Sequence, residues 1–209
     1  MSALAQRTYT PEEYLSMERE AEHKSEYLDG YIYAMAGASM EHNTISANLP
    51  RLIGNNFVGR RCRVFSSDMR VQVQDRNFYT YPDVVAVCGK PVLTDSKMDT
   101  LTNPTALFEV LSPSTEGYDR GKKFELYRKL EALQEYVLLA QDRAFIEHYV
   151  RRGSNWVLSD ISNLDGTLQL DSIQCELALR DIYDKVEFPP EPREPREVVN
   201  VDDDGLSHP

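Results

Sequence analysis

Two short runs, apolar on both faces and separated by one helical pattern, constrain the fold of this chain more than any other feature. The runs are ALFEVL at 106–111 and EYVLLA at 135–140. Near-continuous apolar runs of this length are typical of strands whose sheet is covered on both faces. Between them, the sequence from Asp119 to about Leu133 predicts a helix. The pattern therefore predicts an α/β fold with a mixed sheet.

Further elements are predicted on either side of this core. Thr10 to Glu13 has the sequence of a helix start with a capping box. The pair Asp29-Gly30 separates two β-prone runs and predicts a tight hairpin. A second helix is predicted from about Ser39, and Pro50 is expected to kink or end it. The remaining predictions are strands at 63–73, 78–88, 145–150 and 155–161, and a short helix near 178–186.

Length and composition bound the domain organisation. The 209 residues, 41% of them hydrophobic, predict one domain over 8–188. Residues 189–209 contain five prolines and three consecutive aspartates, a composition that predicts a disordered acidic tail. Three cysteines without a C-x-x-C pair argue against a disulfide scaffold and a structural zinc site. Because no segment is apolar enough to span a membrane, we expect a protein of the reducing cytoplasm with no membrane partner.

The net charge of −11 argues against a protein whose main task is to coat nucleic acid. Neutralisation of phosphates normally requires a basic surface. A nucleic-acid function would therefore depend on local basic clusters or on a bound cation. The stretches Arg51–Arg63 and Arg120–Lys129 are the best candidates for phosphate contacts, and the alternative is that both are ordinary solvated faces.

Acidic residues in two apolar strands are the strongest functional feature. Glu109 lies within the 106–111 run, where an ionised carboxylate costs several kcal/mol unless a partner or metal compensates. Asp83 opens the apolar run after Pro82. Adjacent strands would bring both carboxylates to one site, with the oxygen ligands that Mg²⁺ or Mn²⁺ prefers. The alternatives are a Glu109 that reaches solvent or pairs with an arginine, and an Asp83 that belongs to a turn.

Lys123 falls on the apolar stripe of the predicted 119–133 helix, together with Leu126, Tyr127 and Leu130. A lysine in the first helical turn is unfavourable for the helix dipole. Beside a metal, an inward lysine could orient or help to deprotonate a water and stabilise charge on a phosphate oxygen. Alternatively, Lys123 extends from the edge of the core to solvent or pairs with Asp119.

These residues resemble the Uma-type restriction endonuclease family, which belongs to the PD-(D/E)XK nuclease superfamily. The resemblance spans roughly Tyr9 to Val186. It rests on Glu26-Tyr27-Leu28-Asp29-Gly30, His42, Tyr81-Pro82-Asp83-Val84, Glu109-Val110-Leu111-Ser112-Pro113-Ser114-Thr115, Asp119 and the segment from Lys123 to Tyr127. It implies a restriction-endonuclease-like core of a helix, three strands, a helix and a strand.

The resemblance also implies site residues. Asp83 and Glu109 would be metal ligands, whereas the position of the superfamily's usual lysine is occupied by Leu111. The lysine is implied to have moved to Lys123 on the following helix. Glu26 would be an additional acid, and the alternative is a solvent-exposed hairpin residue.

Four other polar positions also bear on the site. His42 could contact phosphate or transfer a proton, and it could equally be an ordinary histidine. Asp68 is more typical of a turn or bulge than of the site. Ser112 and Thr115 are expected to shape the loop after the Glu109 strand, because no nucleophile motif surrounds them.

We therefore expect a metal-dependent endonuclease that hydrolyses phosphodiester bonds of DNA, with RNA not excluded. Asp83, Glu109 and the backbone carbonyl of Val110 would hold Mg²⁺, or Mn²⁺ in its place. A homodimer is an expectation from the family, and it suits an enzyme that addresses two strands. The alternative is a catalytically silent nucleic-acid-binding or interaction module of a mobile element, which the acidic composition favours and the acids in apolar strands argue against.

Overall fold

The computed structural model of the chain describes residues 7–94 and 97–190. The predicted acidic tail at 189–209 lies outside the described residues except for its first two positions. The strands are β1 (Ser25–Leu28), β2 (Tyr31–Ala34), β3 (Cys62–Ser66), β4 (Arg70–Val73), β5 (Phe78–Thr80), β6 (Val84–Cys88), β7 (Thr100–Leu101), β8 (Ala106–Leu111), β9 (Glu135–Ala140), β10 (Ile146–Arg152), β11 (Asn155–Ile161), β12 (Thr167–Leu170) and β13 (Cys175–Ala178).

The helices are α1 (Pro11–Glu18), α2 (Met40–Phe57), α3 (Glu116–Tyr118), α4 (Phe124–Tyr127) and α5 (Leu179–Ile182). A π-helical turn (Asp119–Lys123) joins α3 directly to α4, and we call the continuous segment 116–127 the site helix. Short 3₁₀ turns cover Gln74–Arg76 and Asp171–Ile173. Among the helices of the described residues, none is long and apolar enough to cross a membrane.

A six-stranded mixed sheet in the order β11-β10-β9-β8-β6-β3 forms the centre of the fold. Its inner strands β8 and β9 are the two apolar runs, and they pair in parallel, while every other neighbouring pair is antiparallel. A second sheet has the order β2-β1-β5-β4-β7, and β12 and β13 form a separate hairpin. The predicted α/β class with a mixed sheet is therefore confirmed.

Alternation along β8 explains why the central sheet is covered on both faces. Phe108 and Val110 belong to a core cluster that includes α2, the β12–β13 hairpin and α5. Leu107 and Leu111 belong to the opposite cluster, which includes the second sheet and the site helix. Glu109 points to this second face, because side chains two residues apart on a strand share a face. The only carboxylate of β8 thus lies between the two sheets.

Local sequence chemistry sets several element boundaries as predicted. Thr10 and Glu13 form the capping box, with the Glu13 backbone N–H donating to Thr10 Oγ1 at 3.2 Å. The hairpin turn has positive φ at both central residues, Asp29 and Gly30, as a type I′ turn requires. However, α2 continues through Pro50 to Phe57, so the expectation that proline ends it is wrong. Burial of the apolar face of α2 in the core outweighs the lost backbone hydrogen bond.

Three other predicted boundaries are wrong. The strand expected over 63–73 is divided into β3 and β4, and that expected over 78–88 into β5 and β6, with the parts in different sheets. Pro82 falls in the second break, where it has no N–H to donate to a ladder. The helix expected to reach about Leu133 ends at Tyr127. The hairpin of β12 and β13 was not predicted at all.

A disulfide joins Cys62 and Cys88, the first and last residues of the paired strands β3 and β6. The sequence argument against a disulfide scaffold missed this bond, because spacing along the chain does not say which strands will pair. In the structure the two cysteines are directly opposite each other. Cys175 is buried and remains a free thiol.

We expect this disulfide to contribute measurably to stability. It closes a loop of 26 residues, and for that length the chain-entropy relation gives about 3.5 kcal/mol. Reductant should therefore lower the free energy of unfolding of the unaltered protein in urea titrations. The Cys62→Ser Cys88→Ser double variant should be insensitive to reductant. Equal stability of the unaltered protein with and without reductant would contradict the prediction.

Candidate active site

Asp83 and Glu109 lie at the same end of two adjacent antiparallel strands. In the register between β6 and β8, Val84 faces Phe108, and continuing it by one residue sets Asp83 opposite Glu109. The backbone N–H of Val110 donates to Asp83 Oδ2 at 2.7 Å. This bond fixes the carboxylate of Asp83 against the strand that carries Glu109. The structure thus brings together the two carboxylates that the sequence pairs.

Lys123 reaches the same place from the site helix. Its Nζ lies 2.9 Å from Glu109 Oε1, 3.3 Å from Glu26 Oε1 and 3.5 Å from Asp119 Oδ1. We call these four residues the Lys123 cluster, and all four side chains are buried. Lys123 is the last residue of the π-helical turn, a distortion that occurs frequently at functional sites. Lys123 faces inward as predicted, and it also makes the ion pair with Asp119 that was its alternative.

Hydroxyl groups hold the carboxylates of the cluster in place. The Tyr127 hydroxyl donates to Glu109 Oε1 at 2.8 Å, and the Thr80 hydroxyl donates to Glu26 Oε1. The Tyr118 hydroxyl lies 3.4 Å from Glu26 Oε2. Sequence analysis did not identify these contacts. The only signal was the position of Tyr127 on the same inward stripe as Lys123, whereas Thr80 is adjacent only through the pairing of β1 with β5.

Burial controls the protonation of this cluster. It raises the pKa of the Glu109 carboxyl to about 8, although the Lys123 ammonium opposes the shift. Burial also raises the pKa of Asp119. For Lys123, burial alone would lower the pKa, but Glu109, Glu26 and Asp119 together raise it well above its ordinary value. Lys123 therefore stays an ammonium at neutral pH, and the ionised form of Glu109 gains from any additional positive charge.

His42 approaches Asp83 from helix α2. Its Nε2 lies 3.2 Å from Asp83 Oδ2, and its Nδ1 lies 3.3 Å from the Ser46 hydroxyl one helical turn later. Ser39 caps α2 by accepting a hydrogen bond from the His42 backbone N–H. The imidazole is thus held between two partners and is attached to the site through Asp83.

Other predicted residues lie outside this arrangement. The Asp68 carboxylate is exposed and pairs with Lys24 at 2.7 Å, consistent with a turn aspartate. Ser112 and Thr115 bond to each other through their hydroxyls and shape the loop before the site helix. Glu26 was given an alternative as an exposed hairpin residue, and that alternative is wrong because its side chain is buried against Lys123.

The oxygen donors fit a hard divalent cation. The hydrogen bonds from Val110 and Tyr127 engage one oxygen of each carboxylate, Asp83 Oδ2 and Glu109 Oε1. Four carboxylates, those of the Lys123 cluster and Asp83, face the single ammonium of Lys123, so negative charge is in excess. Within the described residues no group of three or more His, Cys, Asp or Glu forms a preassembled metal site. Two protein carboxylates suit Mg²⁺, which usually keeps several waters and binds substrate phosphates.

Comparison with known proteins gives the family. Residues 11–181 match the family model described as "Uma2: Putative restriction endonuclease". The chain belongs to the Uma2 family. The match covers most of the folded chain, including Asp83, Glu109 and Lys123, and it confirms the resemblance inferred from the sequence.

Two relatives and a solved structure are similar to this chain over most of its length. An uncharacterised protein of Synechocystis sp. is 40% identical over 153 residues, which cover 73% of this chain and 86% of that protein. A second uncharacterised Synechocystis protein is 38% identical over 180 residues, or 86% of this chain and 93% of that protein. A crystal structure described as "a putative nuclease belonging to DUF820" from Anabaena variabilis superimposes with a TM-score of 0.69 at 20% identity. The superposition covers 84% of this chain and 97% of that chain. This Uma2 protein therefore shares the fold of that structure.

Lys123 should be essential for the stability of the cluster in the absence of metal. Lys123→Met keeps the aliphatic stem but leaves three buried acids without their cation, which should cost about 3 to 5 kcal/mol. The matched control is Lys122→Met, which removes an exposed ion pair with Glu125 and should cost less than about 1 kcal/mol. Urea unfolding of both variants measures the difference. Equal losses would contradict the cluster's dependence on Lys123.

Proposed function

We propose that this protein is a metal-dependent endonuclease that hydrolyses phosphodiester bonds, with DNA as its substrate and RNA as the alternative polymer. One observation carries the proposal. Glu109 is buried between two sheets, next to Asp83, with Lys123 at 2.9 Å from its carboxylate. Membership of the Uma2 family supports the same activity.

Asp83 and Glu109, together with the backbone carbonyl of Val110, would hold Mg²⁺ or Mn²⁺. A bound divalent ion would stabilise negative charge on the phosphoryl oxygens and lower the pKa of a water molecule. The residues of the chain have separate tasks. The Val110 N–H keeps Asp83 in place, and the Tyr127 hydroxyl orients Glu109.

Lys123 would position the attacking water and stabilise charge on the phosphate in the transition state. Glu26 and Asp119 support this task because they keep the ammonium protonated and fix its direction. His42 acts as a positioning residue, since its Nε2 is directed at Asp83 Oδ2. This geometry favours an orienting role for His42 over direct contact with phosphate.

Phosphates of the substrate would also contact a basic groove at the edge strand β3. The groove has a volume of about 800 Å³ and is lined by Arg61, Arg63 and Lys90 over an apolar floor that includes Phe65 and Leu93. No acidic partner for the side chains of these three cations is present among the described residues. In the other predicted basic stretch, Arg120 already pairs with two glutamates of the protein.

The groove is placed for contact with a strand that passes through the site. Arg63 is opposite Val87, which faces the core between the sheets, so Arg63 is on the same face of the central sheet as Glu109. Strand β3 is about 13 Å long, from its end nearest Asp83 to Cys62, at the usual rise per residue of a strand. That length corresponds to about four base pairs along a DNA axis.

We further infer a homodimer in the cytoplasm. Two copies would supply the two sites needed to cut both strands of a duplex. Disulfides are rare in that compartment, so Cys62 and Cys88 would be present there as thiols.

Cleavage assays test the proposed activity directly. The purified protein should cut plasmid or single-stranded DNA with Mg²⁺ or Mn²⁺ and not with EDTA. Asp83→Asn and Glu109→Gln should each reduce the rate by at least about 100-fold, because charge stabilisation at the phosphate is lost. Asp68→Asn, an exposed acid outside the site, is the matched control and should leave the rate unchanged.

Two results would contradict this proposal. Cleavage that survives both Asp83→Asn and Glu109→Gln would place the active site elsewhere. A protein that binds DNA or RNA but cuts neither, with any divalent ion, would instead be a nucleic-acid-binding module.

Salt dependence tests the basic groove separately from catalysis. Each phosphate contact contributes about 0.9 to the slope of log binding constant against log salt for duplex DNA, so the Arg61→Gln Arg63→Gln double variant should reduce the slope by about 1.8. Arg180→Gln is the control, because this exposed arginine pairs with Asp165 away from the groove. An unchanged slope in the double variant would exclude the groove from the interface.

A further inference from the structure

Two tyrosines next to the candidate site differ from every other aromatic residue of the chain in their exposure. The chain has twelve tyrosines, seven phenylalanines and one tryptophan, all among the described residues. Of these, only Tyr31 and Tyr33 are exposed, at 36% and 52% of their surface. Within the described residues, neither ring stacks on another ring or on a cation. The other aromatic residues are buried or half-buried.

The pairing of β1 with β2 places these rings beside the Lys123 cluster. Tyr33 is directly opposite Glu26, and Tyr31 is directly opposite Leu28. Side chains at directly opposite positions share a face, with Cβ atoms about 4.5 to 5.5 Å apart. Glu26 contacts Lys123 at 3.3 Å. Tyr33 is therefore the cross-strand neighbour of Glu26, which contacts the lysine proposed to act on the phosphodiester bond.

Alternation along β2 explains why both rings are on this face. Ile32, between them, packs on the opposite side of the second sheet against the tyrosine cluster around α1. Residues two apart on a strand are separated by about 6.6 Å. Because β2 is an edge strand, no further strand of the described residues pairs with its free side. They form an open aromatic surface, which we call the tyrosine platform.

We propose that the tyrosine platform binds unpaired nucleobases of the substrate strand by stacking, and this inference rests on the proposed nuclease function. The negative charge of the adjacent residues favours bases over phosphates at this position. The adjacent Lys123 cluster contains three acids and one lysine, so a phosphate beside it would be repelled unless a cation intervened. A tyrosine ring is neutral, and it can stack on the face of any base.

The platform selects an unpaired region over an intact duplex. In a duplex the faces of the bases are stacked on one another and are closed to an aromatic side chain, whereas a single strand presents them. The backbone positions of Tyr31 and Tyr33 are about 6.6 Å apart, so the two rings suit bases that are separated from each other. We infer that the enzyme prefers single-stranded or locally opened DNA next to the cleavage position.

Binding of labelled oligonucleotides in EDTA tests the platform without cleavage. Tyr33→Ala and Tyr31→Ala in the full chain should each weaken binding of a single-stranded oligothymidylate by about 5- to 150-fold, the effect of one lost base stack. Tyr33→Phe keeps the ring and should bind like the unaltered protein. Leu158→Ala, an exposed apolar residue on the far edge strand β11, is the matched control and should not change affinity. Affinity for a blunt duplex should be the same in all variants.

Several results would overturn the platform. Unchanged single-strand affinity in both alanine variants would do so, as would equal losses for single strand and duplex. If Tyr33→Ala instead changed the oligomeric mass in sedimentation, the edge strand β2 would be an interface between two copies. An unaltered protein that binds no oligonucleotide in EDTA would also overturn the platform, and cleavage with Mg²⁺ or Mn²⁺ would still test the nuclease function.

The two proposals remain separable. Cleavage with unchanged single-strand affinity in the tyrosine variants would overturn the platform and leave the nuclease function intact. Tyrosine-dependent binding by a protein that cuts nothing would support the platform and overturn the nuclease function. Because both rings are exposed, the variants should keep the thermal stability of the unaltered protein, and Tyr33→Phe controls for any effect of the strand itself.

Discussion

The contact between Lys123 and Glu109 is the interaction on which the rest of the site depends. Glu109 occupies a strand that is buried on both faces, where an unpaired carboxylate would cost several kcal/mol. The ammonium of Lys123, the last residue of the π-helical turn in the site helix, offsets part of this cost. The second sheet then adds Glu26 and Thr80 from the other side. Two sheets and one helix are therefore joined through a single buried carboxylate.

The single ammonium of Lys123 does not neutralise the four carboxylates around it. This excess of negative charge connects the architecture to the proposed binding of a metal ion. Without another cation, burial raises the pKa of Glu109 to about 8, so the ionised form of this carboxyl is disfavoured. A divalent cation is the alternative source of positive charge, and it would convert the same group into a ligand. In this account the acids are tolerated in apolar strands because the binding of metal and phosphate offsets the free-energy cost of burying their carboxylates. The Uma2 family assignment fits that account.

The sequence predicted the parts of the site that follow from local patterns. Glu109 interrupts an apolar strand, Asp83 opens another, and Lys123 falls on an inward stripe, and each feature is visible within about ten residues. Contacts that depend on pairing between distant strands were not predictable in this way. Thr80 reaches Glu26 only because β1 pairs with β5, and Cys62 meets Cys88 only because β3 pairs with β6. Periodicity also could not show that the runs at 63–73 and 78–88 cross between sheets.

Calorimetric titration of Mn²⁺ into the purified protein at neutral pH tests the central claim most directly, because it measures metal binding without requiring a substrate. The account predicts saturable binding to the unaltered chain and its loss in both Asp83→Asn and Glu109→Gln, while Asp68→Asn binds as before. Binding that persists unchanged in both site variants, or no binding by the unaltered chain, would contradict the claim that Asp83 and Glu109 hold a divalent cation.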